Sequence, residues 1–204
     1  MTDVLAAIWQ GLISASWPEQ AATVLGLLGV WLATRQNLWN FPIGLMQVTL
    51  IGFVFFEQRL FADAGLQAVY FVALIYGWVV WLRPGGADAP LPVSRLPLRR
   101  LLAVISAGLV ATLLLAQLLE QLHDPMPYRD AFIGCFGVLS QWLEATKRLE
   151  AWGGWVLVNI TGLAIYSATG LYWFVFLYAL YLVLSVTGFV SWRRSMRDNP
   201  PRPV

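Results

Sequence analysis

The chain has 204 residues, of which 59% are apolar and 12% charged, with a mean hydropathy of +0.67. A soluble domain is about 25% charged, so this composition excludes an ordinary water-soluble globule and places the chain in a lipid bilayer. The formal charge of +2 says little by itself and gives no reason to expect a nucleic-acid partner; where the positive charges sit says more.

Eleven Trp, seven Tyr and eleven Phe fit a membrane protein, because aromatic rings collect at the two interfaces. The single cysteine, Cys135, cannot form an internal disulfide and reads as a packing residue. Met1 to Gln20 has no Lys or Arg and no small-residue cleavage pattern, so no cleaved signal is expected. Val4, Leu5, Ile8, Trp9 and Leu12 recur at helical spacing over a run too short to span, which reads as an interfacial helix. Ser16 to Glu19 has capping-box spacing with Pro18 in the first turn, and opens the first long helix.

Seven apolar stretches follow, each near the roughly 20 residues a bilayer requires. They are placed at Pro18–Gln36, Asn40–Phe56, Ala62–Leu82, Arg99–Leu119, Pro127–Lys147, Ala151–Ala168 and Leu171–Trp192. With the C-terminus cytoplasmic, eleven of the thirteen Lys and Arg lie inside, and only Arg59 and Arg129 fall outside. The positive-inside rule then gives N-out, C-in.

The linker from Arg83 to Arg100 is rich in Pro and Gly and divides the chain. At a constant offset of 111 residues, Trp31 matches Trp142, Leu32 matches Leu143, Leu38 matches Leu149 and Leu66 matches Leu177. Tyr70 then matches Tyr181, Gly77 matches Gly188 and Trp81 matches Trp192. The expected fold is all-α and integral to the membrane: seven transmembrane helices as two parallel three-helix repeats joined by a connecting helix, a known transporter plan. The expected segments are an interfacial helix (1–15), the first repeat (16–83), a cytoplasmic linker (84–98), the connecting helix with an outer loop (99–126), the second repeat (127–194) and a cytoplasmic tail (195–204).

The polar residues within the apolar runs define a candidate site. Trp152, Trp155 and Asn159 share one helical face, with Tyr166 seven residues further on. On the equivalent helix of the first repeat, Asn40 and Gln47 lie seven apart on one face. An amide at bilayer depth is costly unless paired, and indoles beside it make a wall for a flat ligand. Asn and Gln of this kind also serve simply as glue between helices. Tyr178 and Tyr181 share a face of the last helix and could close the pocket. Trp17, Trp78, Trp81 and Trp192 sit near span ends and read as interfacial anchors. For Glu144, three residues before Lys147, an ion pair on one helical face is the plain expectation.

There is no phosphate-binding loop, no metal-spaced ligand cluster and no catalytic set that could be built on the single histidine, His123. No cofactor is expected, and an enzyme built on Glu144, His123 and Asp130 is disfavoured because these do not converge in the sequence. No chain of intramembrane carboxylates marks a proton or sodium path, which leaves facilitated diffusion by alternating access.

The runs W-N-F-P-I-G-L at Trp39 to Leu45, Y-G-W-V-V-W-L-R at Tyr76 to Arg83, W-G-G-W-V-L-V-N at Trp152 to Asn159 and the ending Tyr178 to Arg194 resemble the PnuC family. The likeness covers roughly residues 20 to 195. It implies a bacterial inner-membrane vitamin transporter with a SWEET-like fold, homotrimeric and best known for nicotinamide riboside (vitamin B3). Trp152, Trp155 and Asn159 match the motif that surrounds the vitamin, and Asn40 and Gln47 match polar positions on the earlier helix. A pyridinium stacked on indole contributes about 0.5–2 kcal/mol. The resemblance further implies that cytoplasmic phosphorylation traps the vitamin on its way into NAD biosynthesis. Relatives carry thiamine or riboflavin, which stand as alternatives. Glu144 departs from the family pattern by placing an acid where an apolar residue is expected, which leaves room for another cation such as thiamine, whose ring is also positive.

Overall fold

The structure, a computed structural model, describes residues 2–83 and 91–198. Its helices, in chain order, are α1 (Thr2–Ser14), α2 (Trp17–Thr34), α3 (Asn40–Glu57), α4 (Phe61–Leu82), α5 (Leu98–Gln121), α6 (Pro127–Ala145), α7 (Glu150–Thr169) and α8 (Tyr172–Asp198). The expected helix ends agree to within about two residues, except that α8 runs on through Arg193, Arg194 and Arg197 to Asp198. Residues 84–90 of the expected linker and 199–204 of the expected tail, with Arg202, lie outside the described residues.

Among the described residues four helices, α3, α4, α5 and α8, are long and apolar enough to cross a membrane. α2, α6 and α7 have 18, 19 and 20 residues and carry more polar groups, α2 in its first turn at Glu19 and Gln20, α6 and α7 partly in the bundle interior. Thr34, Ser140, Gln141 and Asn159 are all buried. The outward surface is apolar instead: Val24, Phe53, Val72, Leu114 and Val183 are more than half exposed, as a lipid-facing surface requires.

Local chemistry sets the helix ends. The Glu19 carboxylate accepts from the Ser16 backbone N–H at 2.7 Å and from the Ser16 hydroxyl at 2.8 Å, so the acid side of the expected box is formed. The α2–α3 and α6–α7 turns take the same shape, with Gln36 at φ 55° and Lys147 at φ 51°. The α3–α4 and α7–α8 turns also agree, with Arg59 at φ 62° and Gly170 at φ 71°. In each case the two residues stand 111 positions apart.

Helices α2, α3 and α4 pack in succession, as do α6, α7 and α8, while α4 crosses onto α6 and α2 onto α8. The contacts recur at the same offset. Phe41 meets Trp81 edge-on at 5.0 Å, and Trp152 meets Trp192 edge-on at 5.4 Å. The Trp81 indole N–H donates to the Glu144 carbonyl at 3.3 Å, and that of Trp192 to the Ala33 carbonyl at 3.0 Å. Two buried cross-contacts of identical kind fix how the halves sit against each other.

Those bonds correct the expectation for two tryptophans. Trp81 and Trp192 are 5% and 0% exposed, so they are core residues rather than interfacial anchors; Trp17, 73% exposed, stays outside. The reason is that α4 and α8 bring these two residues against each other between the halves, where an indole can bury its ring and still satisfy its N–H.

The ion pair expected between Glu144 and Lys147 is absent. α6 ends at Ala145 and Lys147 takes a left-handed backbone, so the three-residue spacing no longer puts the two on one face. The Lys147 ammonium donates to the Leu91 carbonyl at 3.0 Å and lies 4.4 Å from the Trp81 ring centroid. The described part of the linker is strapped to the same turn: Ser94 N–H donates to the Lys147 carbonyl at 3.0 Å, and Leu149 N–H to the Ser94 carbonyl at 2.9 Å.

Candidate functional site

The midpoints of α2, α3, α4, α6, α7 and α8 bring polar and aromatic side chains together in the bundle interior. Gly26 of α2 leaves room for two of them, since a Cβ there would collide with the Tyr181 hydroxyl and press on Gln47. Gly137 of α6 does the same for the Tyr70 hydroxyl, with the Trp155 ring alongside. Tyr70 and Tyr181 are repeat mates, so α4 and α8 each set the equivalent tyrosine against the equivalent glycine.

Asn159 is 6% exposed and donates through Nδ2 to the Ser185 hydroxyl at 3.1 Å; that hydroxyl in turn donates to the Tyr181 carbonyl at 2.8 Å. Its amide is therefore held by α8 on one side while its carbonyl oxygen keeps its acceptor capacity. Tyr178 packs on Gly162 of α7, and its ring lies 5.2 Å from that of Tyr166. Trp155 donates from Nε1 to the Glu144 carboxylate at 2.8 Å, which fixes the plane of the indole.

Two of the seven expected residues stand apart. Asn40 is buried at the start of α3, where its Nδ2 donates to the Asn37 carbonyl at 2.6 Å and stabilises the α2–α3 turn. Trp152 is fully buried against Trp192, and its indole N–H is the one buried side-chain donor without an acceptor among the described residues. Gln47, Trp155, Asn159, Tyr178 and Tyr181 are the ones the helices gather around the interior. Sequence reading missed Tyr70 and Ser185. Tyr70 carried a signal as the mate of Tyr181, and Ser185 as a hydroxyl one turn beyond Tyr181 in an apolar helix.

Two open grooves lie elsewhere. One of about 590 Å³ runs between α4 and α6 along Val69, Val72, Tyr76 and Val138, and one of about 340 Å³ lies by Arg100, Trp142 and Arg148. None of the seven residues lines either. Among the described residues no group of His, Cys, Asp and Glu has the geometry of a metal site.

Residues 16–194 match the family described as nicotinamide mononucleotide transporter. The chain belongs to that family.

Among the family's curated relatives, the nicotinamide riboside transporter PnuC of Escherichia coli (strain K12) is 29% identical over 215 residues, which cover 93% of this chain and 90% of that one. The riboflavin/roseoflavin transporter RibM of Streptomyces davaonensis is 31% identical over 192 residues, covering 91% and 89%. A crystal structure of the vitamin B3 transporter PnuC superposes with a TM-score of 0.74 at 23% identity, covering 96% of this chain and 90% of that one, and so shares the fold. The family and its structural neighbour are transporters and not enzymes, and this chain is a multi-pass membrane protein.

Proposed function

We propose that this protein is a carrier for the uptake of nicotinamide riboside across the bacterial inner membrane, working by facilitated diffusion with alternating access. The observation that carries the reading is that Gln47 and the Tyr181 hydroxyl meet at Gly26, the Trp155 ring and the Tyr70 hydroxyl meet at Gly137, and Asn159 is bonded to Ser185 between α7 and α8. An indole wall suits a pyridinium ring, and amide and phenol groups suit a carboxamide and ribose hydroxyls. Substrate held at the interface of two repeats near mid-membrane is the arrangement that parallel-repeat transporters use.

The fold reading that goes with this counts α2 to α8 as seven spans in a three-one-three order, with α1 lying at the outer interface, the N-terminus outside and the C-terminus cytoplasmic. The basic residues near the inner ends, Arg35, Lys147, Arg148, Arg193 and Arg194, support that direction. Assembly as a homotrimer and trapping of the vitamin by cytoplasmic phosphorylation complete the proposal. Asn40 and Trp152 then serve the site indirectly, by holding the turn and the aromatic core beside it.

Similarity to RibM favours riboflavin as the second reading, with thiamine as the third. Uptake into proteoliposomes decides among them when radiolabelled nicotinamide riboside competes with excess nicotinamide mononucleotide, thiamine and riboflavin. The expected result is saturable nicotinamide riboside uptake that falls by at least about ten-fold in Trp155→Ala and Asn159→Ala, each truncation removing about 1.4 kcal/mol or more of binding. Wild-type uptake in both correctly folded variants refutes the site.

A further inference from the structure

We infer that Glu144 is the charge-selecting residue of this carrier, so that the site takes a permanently cationic heteroaromatic ring in preference to a neutral one. The inference rests on the transport reading above and adds a substrate class to it.

Glu144 is an acid in the last turn of α6, and its carboxylate touches Trp155, the indole placed to stack on a ligand. Glu144 is half-buried, and its carboxylate is turned toward α7. Among the described residues its partners are two indoles: Trp155 Nε1 bonds to Oε2 at 2.8 Å, and Trp81 Nε1 to the backbone carbonyl at 3.3 Å. The one described ion pair, Arg129 with Asp130, is elsewhere, and the Lys147 ammonium is turned to Gln36 and Leu91. A half-buried carboxylate with one neutral donor and no cation among its described partners is poorly compensated. A cationic ring stacked on Trp155 supplies the missing charge at short range, where the low dielectric makes it count.

The same geometry sorts related ligands. A pyridinium or thiazolium ring gains from the carboxylate and from the indole face together. An uncharged flavin gains only the stacking, and a phosphate brings a second negative charge toward Glu144. The repeat mate of Glu144 is Ala33, buried and apolar, so the acid appears on one side of the pseudo-symmetric bundle only. Selection for charge thus enters through a single side chain.

The test uses purified full-length protein and ligand pairs that differ in charge. Binding is followed by tryptophan fluorescence for nicotinamide riboside against its neutral dihydro form, and for thiamine against riboflavin. The wild type is expected to bind each cation at least ten-fold tighter than its neutral counterpart. Glu144→Gln, which still accepts the Trp155 N–H, should bring that ratio close to one. A residue that merely orients Trp155 would weaken all four ligands together and leave the ratio alone, which overturns the inference. So does a wild type that binds the dihydro form as tightly as the cation, a comparison that needs no variant to fold. If nicotinamide riboside does not bind but thiamine does, with its advantage over riboflavin lost in Glu144→Gln, the choice of vitamin falls and the charge selection stands. A wild type that prefers riboflavin, or binds none of the four, overturns the inference outright.

Discussion

Gln36 and Lys147 stand 111 positions apart and bond to each other, the Lys147 ammonium donating to the Gln36 side-chain carbonyl at 3.3 Å. Each occupies the same left-handed position in its turn. A residue touches its own repeat mate only where the axis relating the two units passes, so this bond marks that axis at one end of the bundle. Trp81 and Trp192, also mates, meet nearby with ring centroids 5.7 Å apart. At this place the two halves are chemically unequal, a neutral amide facing an ammonium.

That inequality makes stability depend on pH. Burial pushes the Lys147 ammonium down to about 8, from the ordinary lysine range. In the unfolded chain the group holds its proton up to roughly pH 10.4. Between about pH 8 and 10 the unfolded state therefore binds more protons, and stability rises with pH across that window. Below pH 8 both states are charged and the folded chain carries the full desolvation cost. In detergent melts from about pH 7 to 9.5, wild type should gain in melting temperature relative to Lys147→Met. A constant gap between the two would contradict this.

Trp152 and Trp192 are both 0% exposed but differ in one bond. Trp192→Phe loses ring volume and the indole bond to the Ala33 carbonyl, which then keeps only the Gln36 N–H at 2.9 Å, a combined cost of about 2–4 kcal/mol. Trp152→Phe loses only volume, because its N–H has no acceptor among the described residues. Thermal unfolding should rank Trp192→Phe as the more damaging by about 1 kcal/mol. Equal losses would mean that the indole bond contributes nothing.

Gly137→Ala should abolish most uptake, because its Cβ drives into the Tyr70 hydroxyl. Removing that oxygen with Tyr70→Phe should restore folding to the glycine variant and part of its transport. The mate pair, Gly26→Ala with Tyr181→Phe, should behave alike, since the same hydroxyl clash recurs there. A double variant no better than the glycine variant alone would place the damage elsewhere.

Ser185→Ala deprives the buried Asn159 amide of its acceptor and should cost about 1–3 kcal/mol in stability. A double-mutant cycle with Asn159→Ala should give a coupling of about 0.5–1.5 kcal/mol. Coupling near zero would show the pair to be independent.

The linear chain determined a great deal here. Composition placed it in the membrane, apolar runs of bilayer length located α2 to α8, and the offset of 111 residues pointed to the pairing of Tyr70 with Tyr181 and Trp81 with Trp192. These are local or periodic properties, fixed by hydrophobicity and spacing alone. It also flagged Asn159 and Gln47, since an amide within an apolar run is conspicuous wherever it ends up.

Only tertiary structure decided which of those conspicuous residues face one another. Asn40 and Asn159 look alike in sequence, yet one closes a turn onto Asn37 and the other reaches Ser185 on another helix. Trp81 and Trp192 looked like interfacial anchors until the crossing of α4 on α6 and α2 on α8 gave their N–H groups carbonyl partners inside the bundle. Glu144 was read against Lys147 because three residues separate them, and a single left-handed residue at the helix end sent the two side chains to different partners. The physical reason is common to all three. A side chain's partner is set by the direction of its Cα–Cβ bond once helices have docked, and docking is a property of distant surfaces that no local pattern encodes.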